Sequence, residues 1–306
     1  MGAADNVRKL VIVAGPTAVG KTRVALQLAS HWRTEIVSAD SRQIYRETTI
    51  GTAAPTAAEL AKVPHHFIGS HSIHQPFSAG RFAMDARQCI DNLFTRHQYV
   101  VLCGGSGLYI KAVCEGFDDI PEVTESVRQN IIHQYNTNGL AWLQAQVAAA
   151  DPAHYARVDR QNPQRLMRAL EIFIQSGIPL SQWQSRKAKA SLPFALVKVG
   201  LEVARDELYQ RIDSRVEAMI AAGLFEEAEQ LYPLRHLNAL QTVGYQEIFG
   251  FLEEKYDRQE AVRLLKRNTR HYAKRQLTWF KKDEQFRWFH PREWAAMINF
   301  AEDGSK

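Results

Sequence analysis

The sequence predicts an α/β protein: a parallel sheet flanked by helices and interrupted by an all-helical insertion. Three observations carry this. Residues 15–22 read GPTAVGKT, directly after the apolar run LVIVA and directly before a stretch with a helical apolar stripe. Further short apolar runs at residues 35–39, 99–103 and 196–201 each end in a loop, with helical stretches between them. From about residue 115 to about residue 192 only helices are legible. Strands alternating with helices give a parallel sheet whose sites lie at the carboxyl ends of the strands.

Taken in order, residues 10–14 form the first strand, and GPTAVGKT matches the phosphate-loop pattern G-x-x-x-x-G-K-[ST] at every fixed position. This makes the sheet P-loop NTPase-like. Gly15, Pro16, Thr17, Ala18, Val19, Gly20, Lys21 and Thr22 form a diphosphate cradle. The glycines turn backbone N–H groups inward, the helix N-terminus adds partial positive charge, and Lys21 adds a full one. The loop specifies a diphosphate or triphosphate, not which one.

The strand at 35–39 ends at Asp40. Three roles are open to that carboxylate: holding magnesium, as in a small-molecule kinase, acting as a general base, or capping the next turn. The strand at 99–103 ends in GGSGLY rather than in an aspartate. Its glycines are expected to let a substrate approach the backbone, and the Ser106 hydroxyl either bonds a leaving oxygen or belongs to a tight turn.

Within the insertion, residues 123–136 and 140–149 read as helices. Asn162-Pro163 is a helix start, and that helix runs over 164–175 and stops at Ser176-Gly177. Gln164 and Arg168 share a face of it, and Arg168 is spaced to pair with Glu171. After the strand at 196–201 the chain reads as helical from 205 to about 279. Arg211 and Arg215 share a face there, with Asp213 between them, so only one of the two arginines is expected to reach an anionic ligand. The expected domains are 1–114 and 193–306 for the two parts of the core and 115–192 for the insertion.

Composition narrows the partners. The 306 residues are 45% hydrophobic and 23% charged, ordinary for a globular chain. No apolar run approaches membrane-span length, and the N-terminus MGAADNVRKL lacks a signal core. Three cysteines, none paired as C-x-x-C, fit a reduced cytosol and argue against disulfides or a zinc finger. The histidines at 65, 66, 71 and 74 carry no metal-ligand spacing. The net charge of +5 is unevenly placed: residues 258–282 hold nine basic side chains and one acidic one, Glu260, with Tyr272, Trp279 and Phe280 interleaved. Such a one-signed helix face suits a nucleic-acid backbone.

GPTAVGKT, SADSRQIY, IGTAAP, GGSGLYIKA, NPQRLMRALEIF, LYQRIDSRVEAMIAAGL, TVGYQE and AKRQLTWFK occur in that order. Together they resemble the tRNA dimethylallyltransferase (tRNA isopentenyltransferase) family of bacterial type, over about residues 9–290. The resemblance implies transfer of a dimethylallyl group from dimethylallyl diphosphate to the N6 amine of the adenosine 3′ to the anticodon, in tRNAs reading codons that begin with U. By the same resemblance the phosphate loop takes the prenyl diphosphate, with Lys21 and Thr22 on the diphosphate and its Mg2+. Asp40 is then the general base. Ser106 stands where the family usually has threonine and bonds the bridging oxygen of the leaving group. Arg215 belongs to the donor site. Asp40, Ser41, Arg42, Gln43, Ser106, Arg128, Gln164, Arg165, Leu166, Met167, Arg168, Gly244, Tyr245, Lys274 and Arg275 match tRNA-contacting positions.

The partners so implied are a tRNA anticodon stem-loop and dimethylallyl diphosphate, with no membrane, for a cytoplasmic monomer. An adenylate isopentenyltransferase would need neither the insertion nor the one-sided basic helix. A small-molecule kinase would need ATP and an arginine-rich lid, and a non-catalytic RNA-binding protein would not need Asp40.

Overall fold

A computed structural model of the chain describes residues 7–75, 77–116, 122–185 and 192–303. The first six residues, read above for a signal core, lie outside the described part. The elements run β1 (Lys9–Ala14), α1 (Lys21–Trp32), β2 (Ile36–Ser38), α2 (Ala57–Lys62), β3 (His65–His66), α3 (Ala79–Leu93), β4 (Tyr99–Gly104) and α4 (Gly107–Glu115). The helical run is α5 (Glu125–Ala150), α6 (Pro152–Tyr155), α7 (Pro163–Ser176) and α8 (Leu180–Ser185). The chain returns with β5 (Ala195–Leu201), α9 (Arg205–Ala221), α10 (Leu224–Leu231), α11 (Tyr245–Leu252), α12 (Arg258–Phe280), β6 (Arg287–Phe289) and α13 (Trp294–Glu302). Two short 3-10 turns lie between α10 and α11.

The strands pair in the order β3-β2-β4-β1-β5-β6, all parallel. β1 lies inside the sheet, in register with β4 from Lys9↔Tyr99 to Ala14↔Gly104 and with β5 from Lys9↔Ala195 to Ala14↔Gly200. Strand alternation sends Val11 and Val13 to one face, where they meet Val24 and Leu28 of α1, Ile212 of α9 and Met297 of α13. Leu10 and Ile12 go to the other face, against Phe82 and Ile90 of α3 and Ile110 of α4. Both faces are covered, so the strand reads as a continuous apolar run. A third cluster joins α10, α11 and α12 to Ile44 and Tyr45.

The chain divides into two compact units, residues 1–114 with 192–306, and residues 115–191. The helical unit has its own core, in which Ile131, Leu143, Val147, Leu166, Leu170 and Ile172 pack on one another. Its two expected early helices form one run, broken at Gly139 (φ 75°, ψ −171°). Asn162 caps α7 through the Arg165 N–H, and Gly177 ends it in the left-handed conformation.

Two further expectations change. β3 and β6, two and three residues long, carry too little pattern to be legible in sequence. The stretch 205–279 is not one continuous helical region, because Gly223, the 3-10 turns and Gly244 divide it. Among the described residues no helix is long and apolar enough to cross a membrane. Cys89, Cys103 and Cys114 form no disulfide.

Candidate active site

The phosphate loop leaves β1 at the carboxyl end of the sheet and closes on α1. Gly20 caps that helix at φ 108°, a conformation that only glycine adopts without strain, and so lets the loop curl tightly onto the helix. Thr17, Ala18, Gly20, Lys21 and Thr22 line a cavity of about 420 Å3. The Lys21 Nζ donates to the carbonyls of Gly15 (3.1 Å) and Pro16 (2.8 Å). Burial brings its pKa down to about 8, opposed by the charge of Asp40 and reinforced by that of Arg215.

Arg215, from α9, enters the same cavity. Its Nη1 donates to Thr17 Oγ1 (3.2 Å) and its Nη2 to the Thr52 carbonyl (3.3 Å). Burial pulls this guanidinium below its usual pKa, with Asp40 acting against the shift. Neither Lys21 nor Arg215 is ion-paired with a carboxylate among the described residues, so two desolvated cations converge on the loop. Arg211 turns to the back of the loop instead, donating to the Val19 carbonyl (2.7 Å) and to Glu207 (2.7 Å). Asp213 is taken up by Arg270 of α12.

Asp40 follows β2 and lines the same cavity. Its Oδ1 accepts from the Arg42 N–H (2.9 Å) and the Gln43 N–H (3.3 Å), which is the turn-capping role. Its second oxygen accepts no hydrogen bond from the described residues, so capping leaves half of the carboxylate for chemistry. The Arg42 Nη1 is occupied by the carbonyls of Asn238 and Ala239. The Gln43 Nε2 donates to the carbonyls of Thr52 and Ala53. Ile68, Ile212, Val216, Met219, Val243 and Leu265 give the cavity an apolar side.

Ser106 follows β4, two residues after Gly104 of the cavity wall. It is absent from the cavity lining, and its Oγ accepts the Ser41 N–H (2.9 Å) and donates to the Ser41 Oγ (3.1 Å). It therefore ties the loop after β4 to the loop after β2. The room made by the neighbouring glycines is filled by side chains of α12. A Cβ at Gly105 would stand 2.3 Å from Gln276 Nε2, and one at Gly107 would stand 2.1 Å from Trp279 Nε1.

Gln276 lies within the AKRQLTWFK motif, but the sequence does not single out its role. Its Oε1 accepts the Thr17 N–H (2.8 Å) and its buried Nε2 donates to the Gly105 carbonyl (2.9 Å), joining the phosphate loop to the loop after β4. Its only sequence signal is an uncharged residue in register with buried Ala273 and Phe280 in a basic helix. Tyr272, one turn earlier, lines the cavity, with its hydroxyl pushed up to about 12 by burial and by Asp40.

The basic face of α12 is less one-signed than its sequence. Arg263 pairs with Glu260, Lys266 with Glu217, Arg270 with Asp213 and Lys281 with Glu202, partners mostly from other segments. Lys274 and Arg275 remain exposed, Arg275 beside the Tyr272 ring.

In the helical unit Gln164, Arg165 and Arg168 are exposed on α7. Arg168 does pair with Glu171 (3.2 Å), and Arg128 approaches the same carboxylate at 3.5 Å. Three expected RNA contacts are corrected. Leu166 and Tyr245 have 0% of their surface exposed and are core residues, because the apolar stripe of each helix turns them inward. Met167 is also buried, at 8%. Gly244 lines the cavity and precedes α11 with φ 111°.

Among the described residues no cluster of three His, Cys, Asp or Glu side chains offers a self-contained metal site. Among the oxygen donors lining the cavity are the Thr22 hydroxyl, next to Lys21, and the Asp40 carboxylate, with Thr17, Ser38, Thr52 and Glu59 also on its wall. That set suits magnesium carried in on phosphate oxygens, the usual manner for an ion that keeps few protein ligands.

The family model described as IPP transferase matches residues 43–283. A curated tRNA dimethylallyltransferase of Cytophaga hutchinsonii is 46% identical over 293 residues, 96% of each chain. A Porphyromonas gingivalis tRNA dimethylallyltransferase 1 is 48% identical over 282 residues, 92% of this chain and 94% of that one. The crystal structure of the tRNA isopentenylpyrophosphate transferase of Bacillus halodurans superposes with a TM-score of 0.70 at 36% identity, covering 96% and 95% of the two chains. A eukaryotic dimethylallyltransferase shares the fold at a TM-score of 0.78 and 22% identity, covering 97% of this chain and 77% of that one.

Proposed function

This chain belongs to the IPP transferase family, and on that premise we propose that it prenylates tRNA at the adenosine 3′ to the anticodon, position 37. The donor is dimethylallyl diphosphate, the acceptor atom is N6, and the substrates are tRNAs reading codons that begin with U. One observation supports the chemistry above the rest: Lys21, Arg215 and the half-engaged Asp40 carboxylate face one cavity that also has an apolar side.

The division of labour follows from charge. The C1–oxygen bond of an allylic diphosphate breaks as its electron pair moves onto the leaving group. The loop amides, Lys21 and Arg215 stabilise the charge that develops there. The adenine amine attacks C1, and Asp40 takes the N6 proton as the new C–N bond forms. Released diphosphate and protonated Asp40 complete the balance. Thr22 is the residue to hold Mg2+, which neutralises diphosphate charge when bound. Ser106 acts here by fixing Ser41 beside Asp40. Of the segments matched by resemblance, the exposed Gln164, Arg165, Arg168, Lys274 and Arg275 are the RNA contacts. The base must leave its stack to reach a cavity of this kind. The reaction belongs in the cytoplasm, where a single chain suffices for it.

The test is a prenyl-transfer assay with magnesium and dimethylallyl diphosphate. An unmodified anticodon stem-loop carrying adenosine at position 37 is run beside free AMP, and nucleosides are read by mass. Prenylated adenosine from the RNA alone is expected. Product from AMP alone would move the enzyme to the free-nucleotide class.

A further inference from the structure

Residues 51–55 form one wall of the cavity, joined to the phosphate loop through Arg215, and the geometry of that wall is set from a helix that does not line the cavity. Glu227, on α10, accepts three hydrogen bonds: from the Ile50 N–H (2.8 Å), the Gly51 N–H (2.8 Å) and the Tyr245 hydroxyl (2.6 Å). Tyr245 lies wholly buried under this loop, and a Cβ at Gly51 would stand 2.5 Å from its ring. The loop is thus seated on a carboxylate and a phenol that do not line the cavity. The next residue, Thr52, presents its carbonyl to both Arg215 Nη2 (3.3 Å) and Gln43 Nε2 (3.1 Å).

We propose that Glu227, with Tyr245, is a positioning residue for the donor site: by seating the Ile50–Gly51 amides it places the Thr52 carbonyl that aims the Arg215 guanidinium at the diphosphate. The inference rests on the prenyl-transfer reading only for the identity of the donor. The charge-assisted bonds from two adjacent amides are directional, so a carboxylate here fixes orientation as well as position. Arg215 is planar and forked, and the usefulness of its charge depends on that aim. A glutamine is isosteric but brings an NH2 against backbone donors, so Glu227→Gln removes the seat without opening a cavity.

The experiment measures inorganic diphosphate affinity by calorimetry for wild type, Glu227→Gln, Arg215→Met and the double variant. Dimethylallyl-transfer KM and kcat and the stem-loop Kd are measured alongside. Glu227→Gln is expected to weaken diphosphate about tenfold in the wild-type background and less than about twofold beside Arg215→Met, with stem-loop affinity unchanged. Equal losses in the two backgrounds, or no loss, would overturn the proposal. If Glu227→Gln does not fold, Tyr245→Phe removes one of the three bonds. It is expected to lose about threefold with the same dependence on Arg215; loss independent of Arg215 would overturn the proposal equally. Because diphosphate binding is read directly, the result stands apart from whether wild type prenylates RNA, which tests the proposed function instead.

Discussion

Lys21 is a half-buried ammonium held by two carbonyl oxygens, and its pKa, brought down to about 8, makes the donor site sensitive to pH. Between about pH 8 and the unfolded value near 10.5 the folded, ligand-free protein binds fewer protons than the unfolded chain. The stability of that protein therefore rises with pH across the window, and below it the buried charge is a cost. Diphosphate binding has the opposite sign, since it needs the ammonium. The donor KM is expected to rise as pH passes upward through about 8, measured at saturating RNA; a flat profile to pH 9.5 would contradict a titrating Lys21. Asp40→Asn keeps an oxygen for the Arg42 and Gln43 amides but loses the proton acceptor. Transfer should fall by about 10²–10⁴-fold while stem-loop affinity holds, and a near-normal rate would remove Asp40 as base. Lys21, Asp40 and Arg215 were legible because a fixed local spacing or a short helical face carries them. Gln276 and Glu227 were not, since their bonds span 259 and 177 positions and leave no local periodicity.

At the scale of the element, α12 is informative. Its sequence is a run of positive charge, yet four of its basic side chains, counting the capping Lys281, are matched by acids. Glu217 and Asp213 come from α9, so much of this charge knits two helices together. The inner edge of α12, at Gln276, meets the phosphate loop. RNA affinity should thus depend unequally on these residues. Lys274→Ala and Arg275→Ala are each expected to weaken stem-loop binding and to lower the slope of log affinity against log salt by about one. Arg263→Ala, already paired with Glu260 at 2.6 Å, should change it little. Equal effects at all three positions would mean that the ion pairs open on binding. Sequence displayed the charges but not their partners, because pairing across elements is a property of packing.

The whole molecule is two units with separate cores. The four parallel strands that carry the site were legible from their apolar runs. β3 and β6 were too short to show, and the break-up of residues 205–279 depends on glycines whose backbone conformation sequence only suggests. The buried state of Leu166 follows from the apolar face of α7, which outweighs its neighbours' polarity. Leu166→Ala should cost the helical unit about 2–5 kcal/mol. Hydrogen exchange should show lost protection in α5 and α7 with α1 unchanged, and diphosphate affinity should persist. Loss of protection throughout both units would show that they unfold as one.

The place of β1 in the sheet has a consequence for synthesis. Its partner on one side, β4, follows within about a hundred residues, but β5 on the other side begins only at Ala195. A ribosome adding about 5–20 residues each second spends roughly 4–15 s on the intervening helical stretch. During that time the nascent chain carries an apolar strand with one open edge, the kind of template to which stray strands add. The helical unit, having a core of its own, can fold in this interval. The phosphate loop, by contrast, is complete in sequence by residue 22 yet must wait for Arg215 and Gln276 before it is complete in space.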